Sequence, residues 1–538
     1  MRLSLAASAA VFALAAAPAV HAGPVDPQTL NRIADAGFNH GEVVETIEYL
    51  SDQIGGRMTN SPAMRKAEAW TQQKFRDWGL KNVHPEGFEF GRGWWIETAH
   101  ARMVTPRPFD LHVIPVAWSP GTGGPLTAPV IVAPIRTEAD FAKWRGKLKG
   151  KIVLISVPTV QKDDLDPPFK RYTDADIARL DDYRQPFNDP ELAAQRANRQ
   201  VLAKKIDDFL AAEGVVARAS MSRNDGRIVH GEGGGYKVGE TIKVPSFDMA
   251  AEDYRRLARL SKVGEVTLEL DSKVHFEDAD TKAYDIVAEI PGSDPKAGFV
   301  MAGAHLDSWV AGDGAADNGA GSAEVMEAAR ILASLNLHPK RTIRFVLWAG
   351  EEQGLLGSTA YVENHFAKRP PPAQGEAPPS FMANTYPLTI LPEYGQMHGY
   401  FNIDNGSGKL RGIYAEGNFA ATPMLKDWLA PFASLGASAV VAEPTGSTDH
   451  VGMVRIGLPA FQFIQDPLDY ESRVHHSDLD TFDHLRTEDM RQGAVVLASV
   501  LIEAADSDAP LPGNVVPTQS KPTDPFRFPD DNPQAVRR

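Results

Sequence analysis

The 538-residue chain contains no cysteine. Disulfides, thiolate metal ligands and cysteine nucleophiles are thereby excluded, and any metal site must draw on His, Asp and Glu. Runs of Lys and Arg are missing too. With 55 basic residues against 70 acidic ones the formal net charge is −15. The clustered positive charge of a nucleic-acid-binding face is absent, and an acidic chain is a poor partner for an anionic membrane surface. Beyond the N-terminus no stretch approaches the length of uninterrupted apolar residues that a membrane-spanning helix needs. What is present is ordinary: 43% apolar residues, enough for packed cores and against wholesale disorder. At about 150 residues per domain the length corresponds to roughly three to four domains.

The first residues are a targeting segment. Arg2 is a short basic region, Leu3 to Ala17 is apolar, and Val20-His21-Ala22 offers small residues before a cut at Gly23. The apolar run is too short to span a bilayer. A signal peptide over residues 1–22 places the mature chain in a bacterial periplasm or outside the cell.

The grammar of the chain then changes twice. Ser61-Pro62 reads as a helix start, Ala67, Trp70, Phe75 and Trp78 recur at helical spacing, and Gly79 ends the run. Turn residues at Ser119–Pro125 mark a boundary. From 126 to 275 short β-branched runs appear, such as Lys151–Ile155 and the alternating Glu265–Leu270, interrupted by a charged helical stretch from Asp189 to Gly214. From Tyr284 strands and helices alternate, with apolar runs at Tyr284–Ile290, Phe299–Ala304, Thr342–Trp348, Gly399–Ile403 and Pro459–Ile464. Such alternation predicts an α/β domain with a mostly parallel sheet. Residues 24–118 and 276–508 are expected to form one unit and 126–275 a β-rich insertion. Lys368 to Gln396 is Pro-rich and reads as a long loop, and 509–538 as a disordered tail.

The chemistry-bearing residues sit where the apolar runs end. Phe299–Ala304 leads into His305 and Asp307, Thr342–Gly350 into Glu351-Glu352, and Tyr400–Ile403 into Asp404. In a parallel sheet the carboxyl ends of strands converge on one crevice. Between them a Gly-rich turn, Gly312–Gly321, carries Asp317, and a late polar loop carries His475-His476. Two zinc ions about 3.5–4 Å apart need one shared carboxylate and further N or O ligands with a position left open for water. His305, Asp317, Glu352, Asp404 and His476 make such a set, with Asp317 the natural bridge. Asp307, two residues from His305, faces the same way on an extended strand and is expected to accept the other ring N–H of His305. Glu351 and Glu352, being adjacent, point in different directions, so one can bind metal while the other faces the water as general base.

Taken in order, Ala304-His-Leu-Asp-Ser-Trp309, Asp317-Asn-Gly-Ala-Gly321, Leu347-Trp-Ala-Gly-Glu-Glu-Gln353 and His475-His-Ser-Asp-Leu-Asp-Thr481 resemble the secreted co-catalytic zinc aminopeptidase family, nearest its carboxypeptidase Q branch. The likeness covers roughly residues 40 to 505. It implies a zinc exopeptidase-like α/β fold with helices on both faces of the sheet. Two zinc ions are implied, one on His305 and Asp404, the other on Glu352 and His476, bridged by Asp317, with Glu351 as base. It also implies a cis peptide at Asp317–Asn318 and an inserted protease-associated domain over 126–275, where Leu148–Leu154 matches in position. Many relatives carry Tyr just before the last His ligand, to stabilise the oxyanion; here the position is His475. Ser447–His450 resembles a loop near the site, which brings Thr448 and His450 into consideration.

The function so implied is hydrolysis of peptide bonds at free N-termini or in dipeptides. The partners are short peptides, with neither nucleic acid nor membrane, and a homodimer is left open. A zinc carboxypeptidase and a one-zinc glutaminyl cyclase are the alternatives on the same scaffold. A non-catalytic binding protein is disfavoured because the ligands and Glu351 are all present.

Overall fold

In the computed structural model, which describes residues 25–160, 167–182, 190–370 and 387–514, the chain builds two eight-stranded sheets in a mixed α/β architecture. The first holds β1 (Lys81–Glu89), β2 (Lys282–Ile290), β3 (Phe299–His305), β4 (Thr342–Trp348), β5 (Met397–Asn402), β6 (Leu410–Tyr414), β7 (Ala439–Val441) and β8 (Ala460–Gln465). Their spatial order is β1-β2-β4-β3-β5-β8-β6-β7. The centre, β4-β3-β5-β8, is parallel, while β1–β2, β2–β4 and β8–β6 pair antiparallel. Every residue of β3 and β8 is buried, which is why these runs read as mostly apolar rather than alternating, with Gln462 and Gln465 the buried polar exceptions in β8.

Helices cover both faces. The main helices around this sheet are α1 (Pro27–Phe38), α2 (Pro62–Asp77), α3 (Ala320–Ser334), α4 (Leu356–His365) and α5 (Thr487–Asp506). Val300, Ala302 and Ala304 of β3 join one core with α3 and α5, whereas Phe299 and Met301 join another with Tyr361 and Val362 of α4. This is the period of two that a strand imposes. Helix α3 is buried from Ala320 to Leu332, and its Ala, Gly and Ser residues let it lie between β3 and α5. At the N-terminus of α2 the Ser61 hydroxyl accepts the Met64 N–H at 3.2 Å, Pro62 opens the first turn, and the helix ends at Asp77, as its sequence signals.

The second sheet runs, in space, Phe109–Asp110, Gly93–Thr105, Thr267–Glu277, Leu126–Val132, Ile152–Leu154, Ala217–Met221, Ser246–Met249, Val113–Pro115. Helix Pro190–Ala212 fills the charged stretch between its strands. Residues 93–118 therefore do not stay with the first sheet as the sequence suggested. Gly93–Thr105 pairs along its length with Thr267–Glu277, and the turn residues at 119–125 bend the chain within this sheet rather than between units. The junction lies earlier, where Glu89 of β1 pairs with Lys282 of β2. Aromatic side chains close the seam, with Trp118 edge-on to Trp309 at 6.3 Å.

Residues 509–514, expected to open a disordered tail, instead pack against the first sheet. Leu511 is buried and the Pro512 carbonyl accepts the Asn418 amide at 2.6 Å, because one apolar residue in a Pro-rich stretch finds a place beside Gly399 of β5. Residues 1–24, where a leader over 1–22 is expected, the centre of the Pro-rich loop and residues 515–538 lie outside the described residues. Among the described residues no helix is long and apolar enough to cross a membrane.

Candidate metal centre

The chain leaves β3 for β4 on one side and leaves β5 for β6, β7 and β8 on the other, so the strand order reverses between β3 and β5. Ligands of open α/β sheets bind outside the carboxyl ends of strands at such a point. His305 is the last residue of β3 and Asp404 follows β5 by two positions. Glu351 and Glu352 lie on the turn just beyond β4.

The side chains meet there. His305 Nε2 lies 3.2 Å from Asp404 Oδ1, 3.3 Å from Asp317 Oδ1 and 3.9 Å from Glu351 Oε2. His476 Nε2 lies 3.0 Å from Glu352 Oε2 and 3.4 Å from Asp317 Oδ2. Asp317 thus offers one oxygen to each imidazole. His475 Nε2 stands 3.8 Å from Asp317 Oδ2. His305 with Glu351 and Asp404, His305 with Asp317 and Glu352, and Asp317 with His475 and His476 form three overlapping groups able to hold a metal ion. Thr448 and His450 lie apart from these groups. The Thr448 hydroxyl accepts the Asn402 amide at 2.9 Å, and His450 Nε2 faces Glu416 at 3.1 Å.

Crowding shapes the electrostatics. Burial pushes the Glu351 carboxyl well above its ordinary range, and the charge of Asp404 adds to this while His305 opposes it. Burial likewise raises Glu352 to about 7 against the pull of His476. Burial would raise Asp317 too, but the hydrogen bond from His305 and the charge of His476 hold it well below the usual carboxylate range. Asp317 Oδ2 and Glu352 Oε1 are buried without a hydrogen-bond partner. Buried carboxylate oxygens left unpaired beside imidazole nitrogens are a donor set for a divalent cation, and N and O donors suit zinc.

A layer of further residues holds the donors in place. His305 Nδ1–H donates to the backbone carbonyl of Asp307 at 2.9 Å, which turns Nε2 toward the carboxylates. The Asp307 carboxylate, expected to make this contact, stands 3.7 Å away because it is engaged elsewhere. It accepts the Thr59 hydroxyl at 2.8 Å and the N–H groups of Glu351 and Glu352 at 3.3 and 3.4 Å, so it sets the glutamate turn instead. Asp480 accepts the N–H groups of Ala316 and Asp317 at 2.5 and 3.1 Å. The Asp317–Asn318 peptide is cis, and the Asn318 amide donates to the Ile403 carbonyl at 2.8 Å. A Cβ on Gly321 would stand 2.5 Å from that same carbonyl, so only glycine lets the turn close on β5. His476 has φ 59°, a left-handed conformation costly for a non-glycine residue and found at functional sites.

Sequence reasoning passed over Arg57, Thr59 and Glu232. Arg57 is fully buried and donates to the carbonyls of Leu306, Asp313 and Gly314 at 2.7, 2.8 and 2.6 Å; the glycine pair before it was its only local signal. Glu232 belongs to the second unit, yet its Oε1 lies 2.6 Å from His476 Nδ1 and accepts from Arg223 Nη1 at 2.9 Å. Burial pushes the Glu232 carboxyl up, but His476 and Arg223 outweigh this and hold it at about 2. A lone acid in the glycine-rich stretch Gly231–Gly235 hints at a placed side chain, but nothing local points to residue 476.

The relatives of this chain are peptidases, and their likeness supports a peptidase here. Residues 285–501 match the family model described as peptidase family M28. Carboxypeptidase Q of Mus musculus is 26% identical over 525 residues, 93% of this chain and 97% of that protein. Two solved structures share the fold. A peptidase M28 precursor from Shewanella amazonensis has a TM-score of 0.64 and 24% identity, over 91% of this chain and 99% of that one. A zinc aminopeptidase from Bacillus subtilis has a TM-score of 0.53 and 20% identity, over 87% and 98%.

Proposed function

We propose that the protein is an exported dinuclear zinc exopeptidase that hydrolyses peptide bonds at free N-termini or in dipeptides. The observation that carries this is Asp317, whose two oxygens face two separate imidazoles. One ion would be held by His305 and Asp404 and the other by Glu352 and His476, with Asp317 shared. When bound, zinc supplies Lewis-acid polarisation of the scissile carbonyl and lowers the pKa of a water. Glu351, buried against the same donors, takes the proton of the attacking water and passes it to the leaving amine. His475, 35% exposed beside Asp317, donates a hydrogen bond to the developing oxyanion. Asp307 and Asp480 hold the backbone of the glutamate turn and of Asp317. The second unit is a protease-associated domain standing at the mouth of the site, and the leader 1–22 exports the chain.

Metal content of the purified protein together with hydrolysis of a dipeptide panel, with and without chelator, tests this reading. About two zinc ions per chain and chelator-sensitive cleavage are expected. One ion per chain with cyclisation of N-terminal Gln, or no cleavage at full zinc loading, overturns it.

A further inference from the structure

Beside His475 and His476, between the two units, lies a cavity of ≈ 380 Å³. This is near the lower end of the range for small-ligand sites. Its other walls come from Arg223 and Glu232 of the second unit and from Glu471 and Arg473 on the turn Tyr470–Val474. The charges are not equally engaged. Glu232 is occupied by both His476 and Arg223. Arg223 keeps its second terminal nitrogen 3.4 Å from the His475 carbonyl. The Arg473 guanidinium has neither an acid nor a carbonyl partner among the described residues. The cavity thus presents one free guanidinium and one half-engaged one against a single free carboxylate, Glu471.

We infer that this cavity receives the C-terminal carboxylate of a short peptide, anchored by Arg473 with Arg223 as second contact. The inference rests on the peptidase reading above and sharpens it to peptides whose free C-terminus lies close beyond the scissile bond. The rigid fork of a guanidinium matches a carboxylate through two parallel hydrogen bonds, which an amide cannot reciprocate. Because Arg223 also holds Glu232, a bound carboxylate would bridge the two units next to the donor set.

The test uses the zinc-loaded full chain with alanyl-alanine and its C-terminal amide. Wild type should favour the free acid through KM. R473Q should raise KM for alanyl-alanine about tenfold or more and erase the preference for acid over amide, with zinc content unchanged and kcat for the acid moved far less. R473K should recover part of the preference. Equal KM for acid and amide in wild type overturns the inference and leaves the peptidase reading standing. A KM rise confined to E471Q overturns it in favour of a site for an ammonium group. Cleavage of neither substrate by the zinc-loaded wild type removes the peptidase reading, and the inference with it.

Discussion

At the scale of single residues the proposed mechanism gives the adjacent Glu351 and Glu352 different tasks. Glu351→Gln keeps shape but cannot accept a proton, so it should retain zinc and lose about 10²-fold or more in kcat. Glu352→Gln turns a carboxylate donor into a neutral amide and should lose metal instead. Zinc analysis and peptide hydrolysis on both variants decide the assignment, and the reverse pattern would exchange the roles. Glu232→Gln removes the charge behind His476 Nδ1, and partners of this kind typically change metal affinity about 10- to 100-fold. Chelator competition should show zinc affinity lowered within that range. The convergence of His305, Asp317, Glu352, Asp404 and His476 was legible in the sequence because strand ends meet in a parallel sheet, so topology substitutes for proximity. Glu232 and Arg57 were not legible, since each acts across a distance that no local pattern encodes. Asp307 was seen but misread, because spacing along a strand tells which way a residue faces and not which of its oxygens is already taken.

At the scale of elements, helix α4 is tied to the strands by an ionic cluster. His365 Nε2 lies 2.7 Å from Glu86 of β1 and Nδ1 3.2 Å from Glu393, while its ring stacks on Tyr361 at 4.2 Å. Arg344 of β4 joins Glu289 and Glu393 nearby. Burial lowers the His365 imidazole pKa, but the two carboxylates outweigh it and raise the value from 6.5 to about 9. A raised folded pKa means the stabilisation is complete below about 6.5 and is lost as pH climbs through 9. Partial exposure keeps it to at most about 2 kcal/mol. Unfolding midpoints from pH 6 to 10 should therefore fall more steeply for wild type than for His365→Gln, and parallel profiles would show that the cluster does not couple to folding. The helices and strands around this cluster were readable from periodicity. The cluster was not, for Glu86 and His365 meet only after β1 has joined β2 at the sheet edge.

At the scale of the whole molecule, the candidate site concentrates carboxylates, and a bound cation would offset their mutual repulsion. Stripping the metal should lower stability, by about 2.7 kcal/mol relative to zinc held at one hundred times its Kd. Denaturant midpoints with and without zinc provide the measurement, and identical midpoints would mean the donors are not linked to folding through metal. The division into two units was legible as a change of grammar, but its border was misplaced because Gly93–Thr105 and the helical residues before it look continuous in the sequence. The register of Glu89 with Lys282 puts the border at a single rung of the first sheet, where paired strands stand about 4.8 Å apart. The whole of 90–281 is therefore the loop of a β-hairpin. It is a cassette in the genetic sense: a short turn could replace it, or another domain with adjacent termini could be grafted in its place, without rethreading the sheet that carries the donors.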